Sequence, residues 1–171
     1  LDGVTLSVAP GERIAVVGET GSGKTTFTKL VARLMERNSG QIRIGGIPVE
    51  DVPFGSLRNR VGFVPQEGFL HDATIMENVR YGRLEASDAQ VRQAFADLEI
   101  LDWVEGLPDG LETEVGERGS RLSAGERQLV ALVRVWIREV DLLLLDEATS
   151  AVDPALEVSL RGPLDLGDDH M

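Results

Sequence analysis

The sequence predicts an α/β fold, and three observations carry that prediction. A short apolar run, Arg13-Ile-Ala-Val-Val17, leads into a glycine-rich segment, Gly18 to Gly23, and then into a helical pattern. A second apolar run, Leu142 to Leu145, has the continuous hydrophobicity of a central strand in a parallel sheet. Between Ala73 and Val140 the texture is helical, so strands and helices alternate along the chain instead of segregating.

Each element has its own local signal. The opening Leu1-Asp-Gly-Val-Thr-Leu-Ser-Val reads as a strand already in progress, without an initiator methionine, as expected of a piece of a longer chain. Pro10-Gly11 marks a turn, and Arg13 to Val17 is predicted to be a short buried strand. From Thr25 the residues Phe27, Leu30, Val31, Leu34 and Met35 fall on one helical face, and Asn38-Ser39-Gly40 is expected to end that helix. Gln41 to Ile44 and Ile47 to Val49, joined by Gly45-Gly46, form a hairpin pattern, and Val61-Gly-Phe-Val64 is another short strand. Ser87 opens a helix with the capping pattern Ser-x-x-Gln, lined by Val91, Ala94, Phe95 and Leu98. A loop rich in Gly, Glu and Arg follows from Gly106 to Arg121. Ser123 then opens the strongest helix, with Leu129, Leu132, Val133, Trp136, Ile137 and Val140 on one stripe. The division expected is a sheet core built from residues 1–72 and 139–171, with a helical insertion at 73–138.

Composition narrows the functions available. The chain has 171 residues, 29 acidic and 17 basic, for a net charge of −12 and a pI near 4.6. That balance argues against a general positive field for coating nucleic acid or anionic membrane. Cysteine is absent, which excludes disulfides, thiolate metal sites and cysteine nucleophiles. No stretch reaches the roughly 18 uninterrupted apolar residues of a spanning helix. The richest run, Leu129 to Ile137, is broken by Arg134, and no leader-like segment opens the chain. Lys24 and Lys29 are the only lysines, so chemistry that needs a lysine has two candidates.

Lys24 stands in Gly18-Glu19-Thr20-Gly21-Ser22-Gly23-Lys24-Thr25, which matches the phosphate-binding pattern G-x-x-x-x-G-K-[ST] with a strand expected before it and a helix after. The glycines let backbone N–H groups wrap an anion, and the helix N-terminus adds its dipole. Lys24 can reach the β- and γ-phosphates, and the Thr25 hydroxyl can ligate Mg²⁺. Gly18 to Thr26 are therefore the candidate cradle for a nucleoside triphosphate. A chain of charge −12 needs such a local concentration of donors to hold an anion.

Leu142 to Leu145 ends in Asp146-Glu147, two carboxylates where a parallel strand emerges and ligands bind in such sheets. Asp146 can hold Mg²⁺ through water, and Glu147 can polarise an attacking water as general base. The two histidines, His71 and His170, have no metal-site spacing; both are expected to be solvated.

Together these motifs resemble the nucleotide-binding domain of an ABC transporter. Leu122-Ser-Ala-Gly-Glu-Arg-Gln128 resembles the family signature Leu-Ser-Gly-Gly-Gln, upstream of the acidic pair at the family's spacing. Val64-Pro-Gln66-Glu resembles its Q-loop, and Ala148 to Asp153 its D-loop. Thr113-Glu-Val-Gly-Glu-Arg-Gly119 is similar to the loop before the signature in exporter-type members. The similarity runs from Leu1 to about Glu157. It implies a P-loop NTPase, RecA-like core with a parallel sheet and an inserted α-helical subdomain, binding ATP and Mg²⁺ on the cytoplasmic face of a membrane. It further implies that Gln66 senses the metal and the attacking water. Ser123 and Gly125 are implied to bind the γ-phosphate held by a second nucleotide-binding domain, in a homo- or heterodimer coupled to a transmembrane domain. No nucleic-acid partner is expected.

Ser123 and Glu126 also form a capping-box pattern, and the two roles are compatible because an exposed helix start is itself an anion site. Ala124 and Glu126 depart from the signature, and the glutamate removes a donor near a phosphate. The family's adenine-stacking aromatic precedes the segment matched by Leu1 to Val4, and its switch histidine follows a strand that the acidic tail from Gly162 to Met171 does not resemble. The readings left open are a transporter ATPase, a truncated remnant with little turnover, and a soluble ABC-type ATPase acting on DNA or ribosomes.

Overall fold

The computed structural model describes residues 1–146. Its centre is a parallel pair of strands, β3 (Val61–Val64) and β4 (Leu142–Leu145), in register from Val61 opposite Leu142 to Val64 opposite Leu145. Parallel neighbours need a long crossover, and here the crossover holds most of the helices. It comprises α3 (Ile75–Arg80), α4 (Asp88–Asp97), α5 (Leu101–Glu105) and α6 (Ala124–Trp136). Before it lie α1 (Lys24–Val31), the hairpin strands β1 (Arg43–Ile44) and β2 (Ile47–Pro48), and α2 (Phe54–Arg60).

One hydrophobic cluster joins Val64 of β3 to Ile75 and Val79 of α3, Val91 and Phe95 of α4, and Leu129 to Val133 of α6. The helices begin where their sequences say they should. Thr74, Ser87 and Ser123 each accept a hydrogen bond from the backbone three residues on, and the side chains of Glu77, Gln90 and Glu126 each accept one from the backbone N–H of the cap residue. Such caps satisfy N–H groups that a helix start otherwise leaves bare.

Four expectations need correction. Leu1 to Val8, read as a strand already in progress, forms none: the segment is irregular, no described strand pairs with it, and Leu1, Val4, Leu6 and Val8 are exposed. Arg13 to Val17 forms no strand: the segment is irregular, and Val17 is 87% exposed. A strand exists only through its ladder, and none is made to this segment by the described residues. The helix from Thr25 does not continue to Met35. It stops at Val31 because Arg33 takes a left-handed φ of 53° and donates to the carbonyls of Val49 and Val52, at 3.0 and 2.8 Å, over the ring of Phe54. Leu34 and Met35 are consequently exposed. Finally, β4 is half-buried rather than fully enclosed, since β3 flanks it on one side and no described strand on the other. The hairpin, β3, β4, the Ser87 helix and the Ser123 helix all form as expected, and His71 is exposed as expected. Among the described residues no helix is long and apolar enough to cross a membrane.

Candidate functional site

The start of α1 differs from the other long helices. Its N-cap is Gly23, at φ 96°, and no side chain caps it, whereas α4 and α6 carry full capping boxes. A residue with a Cβ is strained at that φ, so glycine is what lets the chain enter the helix from a loop curled over its first turn. That geometry leaves an uncapped helix start facing the curl of Gly18 to Gly23, which is the backbone requirement for holding an anion. Lys24 lies back across the loop and donates from Nζ to the carbonyls of Gly18 and Glu19, at 2.8 and 3.1 Å. Its ammonium is thereby held at the mouth of the loop.

Thr25 and Asp146 are 121 residues apart in sequence, yet Thr25 Oγ1 donates to Asp146 Oδ1 at 2.8 Å. Asp146 is 4% exposed, and its N–H donates to Val64 O at 3.0 Å, carrying the β3–β4 ladder one step further. The strand end therefore aims a buried carboxylate at the helix that begins the cradle. A hydroxyl and a carboxylate are hard oxygen donors, the set that Mg²⁺ takes together with substrate phosphates, so these two residues fit that metal. Among the described residues no cluster of three or more His, Asp and Glu side chains forms a metal cage. One or two protein oxygens plus phosphate is the arrangement Mg²⁺ ordinarily uses. Glu147, the predicted general base, lies outside the described residues, as do the D-loop and His170.

Gln66 is exposed just beyond β3, at the same end of the parallel pair as Asp146. Its carbonyl accepts from Gln128 Nε2 of α6 at 2.6 Å. Gln128 is 3% exposed, and its Oε1 has no hydrogen-bond partner among the described residues, an omission that costs about 1–3 kcal/mol for a buried polar atom. Beside it, a Cβ on Gly68 would meet the Arg127 carbonyl at 2.7 Å and Gln128 N at 2.9 Å. Glycine is what admits the loop after β3 to this close approach.

Ser123 and Gly125 stay at the surface end of α6. Ser123 Oγ accepts from Glu126 N at 3.2 Å, and Glu126 Oε2 accepts from Ser123 N at 2.7 Å. Glu126 Oε1 also accepts from the Trp103 indole at 3.3 Å. The glutamate that departs from the signature is thus turned onto its own helix start and α5. Burial raises the Glu126 pKa, but the bonds from the Ser123 backbone, the Ser123 side chain and Trp103 outweigh it and hold the carboxyl below its ordinary value. The hydrogen bonds of Ser123 remain within this cap, which leaves the site at the start of α6 facing outward.

Sequence reasoning missed Asn78 and Arg134. Asn78 is fully buried; it donates to the carbonyls of His71 and Thr74 and accepts from His71 N and Arg134 Nη2, at 2.7 to 3.0 Å. Arg134 also donates to the carbonyls of Asn78 and Phe69, at 2.8 and 2.9 Å, and burial lowers its pKa. The pair fixes α3 and the loop from Phe69 to His71 onto α6. Its one signal in the sequence was the arginine interrupting the apolar run of α6.

The family profile described as ABC transporter matches residues 1–150. The chain is 42% identical over 165 residues to the ATP-dependent lipid A-core flippase of Chromobacterium violaceum, covering 96% of this chain and 28% of that protein. It is 43% identical over 164 residues to the ATP-binding cassette sub-family B member 6 of Rattus norvegicus, covering 96% of this chain and 20% of that one. The structure of a bacterial Atm1-family ABC exporter with ATP bound superposes with a TM-score of 0.84 at 43% identity, over 90% of this chain and 27% of that chain. The chain thus spans between 20% and 28% of the length of these relatives.

Proposed function

The chain belongs to the ABC transporter family, and from that premise we propose that it hydrolyses MgATP at a head-to-tail interface to drive an exporter-type membrane transporter. Membership implies nucleotide binding and association with a membrane; the metal, the second nucleotide-binding domain, the transmembrane partner and the cytoplasmic face are parts of the proposal. The observation that carries it is the 2.8 Å contact between Thr25 and Asp146, which joins the start of the cradle to the end of the parallel strand.

In this mechanism Gly18, Glu19, Thr20, Gly21, Ser22 and Gly23 wrap the phosphates with backbone N–H groups, continued by Lys24, Thr25 and Thr26 at the start of α1. Lys24 exchanges the carbonyls of Gly18 and Glu19 for phosphate oxygens, so that an ammonium bonded to neutral acceptors comes to face anionic ones. Thr25, Asp146 and Gln66 would hold the Mg²⁺, which would supply neutralisation of charge on the transferred phosphoryl group. Glu147 takes the proton of the attacking water. Ser123 and Gly125 contribute donors to the γ-phosphate held by the opposing copy, so closure of the dimer is favoured only while nucleotide is bound. Residues 73–138 act as the helical subdomain that carries this signature, on a core formed by 1–72 and 139–171.

The test is steady-state ATP turnover by the full chain over a range of protein concentrations. A composite site predicts a rate that rises more than linearly with concentration and is abolished by Glu147→Gln. A linear rate, or turnover that survives the substitution, would remove the shared site or its base.

A further inference from the structure

We infer that Gln128 is a positioning residue, which fixes the loop carrying Gln66 to the signature helix so that the two move as one piece. Two independent observations meet at the same turn of α6. Gln128 Nε2 donates to the Gln66 carbonyl at 2.6 Å from a side chain that is 3% exposed. The backbone of Gly68 lies so close to Arg127 and Gln128 that a Cβ would collide at 2.7 to 2.9 Å. One contact is a directed bond and the other a steric fit, and both hold the segment just past β3 against the second turn of a helix whose N-cap is Ser123.

The unpartnered Gln128 Oε1 sharpens the assignment. A side chain chosen only to fill this place would be apolar, because a buried amide with one half unsatisfied is worse for stability than a methionine of similar volume. What glutamine supplies and methionine lacks is the donor to Gln66. The consequence rests on the proposed function: Gln66 attends to the nucleotide on its own copy, and Ser123 and Gly125 attend to the nucleotide on the other. The bond from Gln128 therefore ties the response at one nucleotide to the placement of the signature for the second. A bound nucleotide that draws in Gln66 draws the signature helix with it.

The experiment compares the full chain with Gln128→Met and Gly68→Ala, first without nucleotide and then with MgATP. Without nucleotide, amide hydrogen exchange across residues 66–70 is expected to speed up about tenfold in Gln128→Met, as for loss of one bond in a locally opening segment, while the thermal midpoint is unchanged or raised. With MgATP, both variants are expected to lose about tenfold in kcat with KM within about twofold, the pattern of transition-state stabilisation lost while substrate binding is kept. Unchanged exchange at 66–70 in Gln128→Met overturns the fixing of the loop, whether or not the chain binds ATP. Faster exchange with unaltered kcat overturns its role in coupling. Failure of the unsubstituted chain to bind MgATP would instead refute the proposed function, and the nucleotide-free exchange would still decide the contact. Should Gly68→Ala not fold, Gln128→Met alone decides both arms; a fall in its midpoint with unaltered exchange at 66–70 would mark Gln128 as mere packing and overturn the inference.

Discussion

Replacing Thr25 by valine removes one hydroxyl while keeping the side-chain shape, and it isolates the contact on which the site depends. Thr25 Oγ1 donates to a carboxylate that is 4% exposed, so the loss leaves Asp146 with one donor fewer in a place where water barely reaches. Hydrogen bonds to charged groups contribute about 1.5–3 kcal/mol. For a chain of this size that converts to a fall in thermal midpoint of roughly 3 to 12 °C. The same hydroxyl is a proposed metal ligand, so a second readout follows. Calorimetric titration of ATP with and without Mg²⁺ should show the metal-dependent gain in affinity reduced by about tenfold or more, on the scale of 1.4 kcal/mol per decade. Affinity for metal-free ATP rests on the backbone of the cradle and Lys24 and should stay within about twofold. Thr25→Ser keeps the hydroxyl and should retain the metal-dependent gain. A valine variant with an unshifted midpoint and a full metal-dependent gain would refute the reasoning, since the contact would then serve neither the fold nor the ion.

Two further substitutions test the surroundings of the site. Asn78→Ala strands the His71 N–H, the His71 carbonyl and part of a guanidinium, while the Thr74 carbonyl keeps the backbone N–H of residue 78, so urea denaturation should show a loss of about 3–5 kcal/mol; a loss under about 1 kcal/mol would mean that the network re-forms around the gap. Glu126 is held below its ordinary pKa in the fold, so the stability it adds is present above the range of a free glutamate and disappears as pH falls through the folded value. The difference in urea midpoint between the unsubstituted chain and Glu126→Gln should therefore shrink as pH is lowered from about 7 to about 3, and a difference independent of pH would show that the carboxylate charge plays no part.

The sequence was most legible where the cause is local. The capping boxes at Ser87 and Ser123 are read from residues three apart, and the leucines of β4 are read from their continuous hydrophobicity. The glycine-rich turn into α1 was legible because its spacing follows from the backbone geometry that an anion requires. Arg13 to Val17 was misread because the same apolar run describes a paired strand and an unpaired one, and only a neighbour decides which it becomes. The early end of α1 was hidden for a related reason: helical periodicity continues to Met35, but Arg33 is taken away by carbonyls 16 and 19 residues further on. Gln128, Asn78 and Arg134 make their decisive bonds to residues that sequence spacing does not bring near. A polar residue on an apolar helical face was the available sign, and Arg134 displayed it most clearly.

The two tryptophans of the chain also give it a built-in optical reporter. Trp103 touches the carboxylate of Glu126 and Trp136 that of Asp97, while the segment from Gly18 to Thr26 has no indole. Tryptophan emission therefore originates from residues of the helical segment 73–138 and from none of the phosphate cradle. At concentrations where copies stay apart, a change in emission on filling the cradle is a signal relayed through the protein, and its rise time in a rapid-mixing experiment would clock the relay separately from the binding step; a change that appears only as copies pair would report the signature beside Trp103.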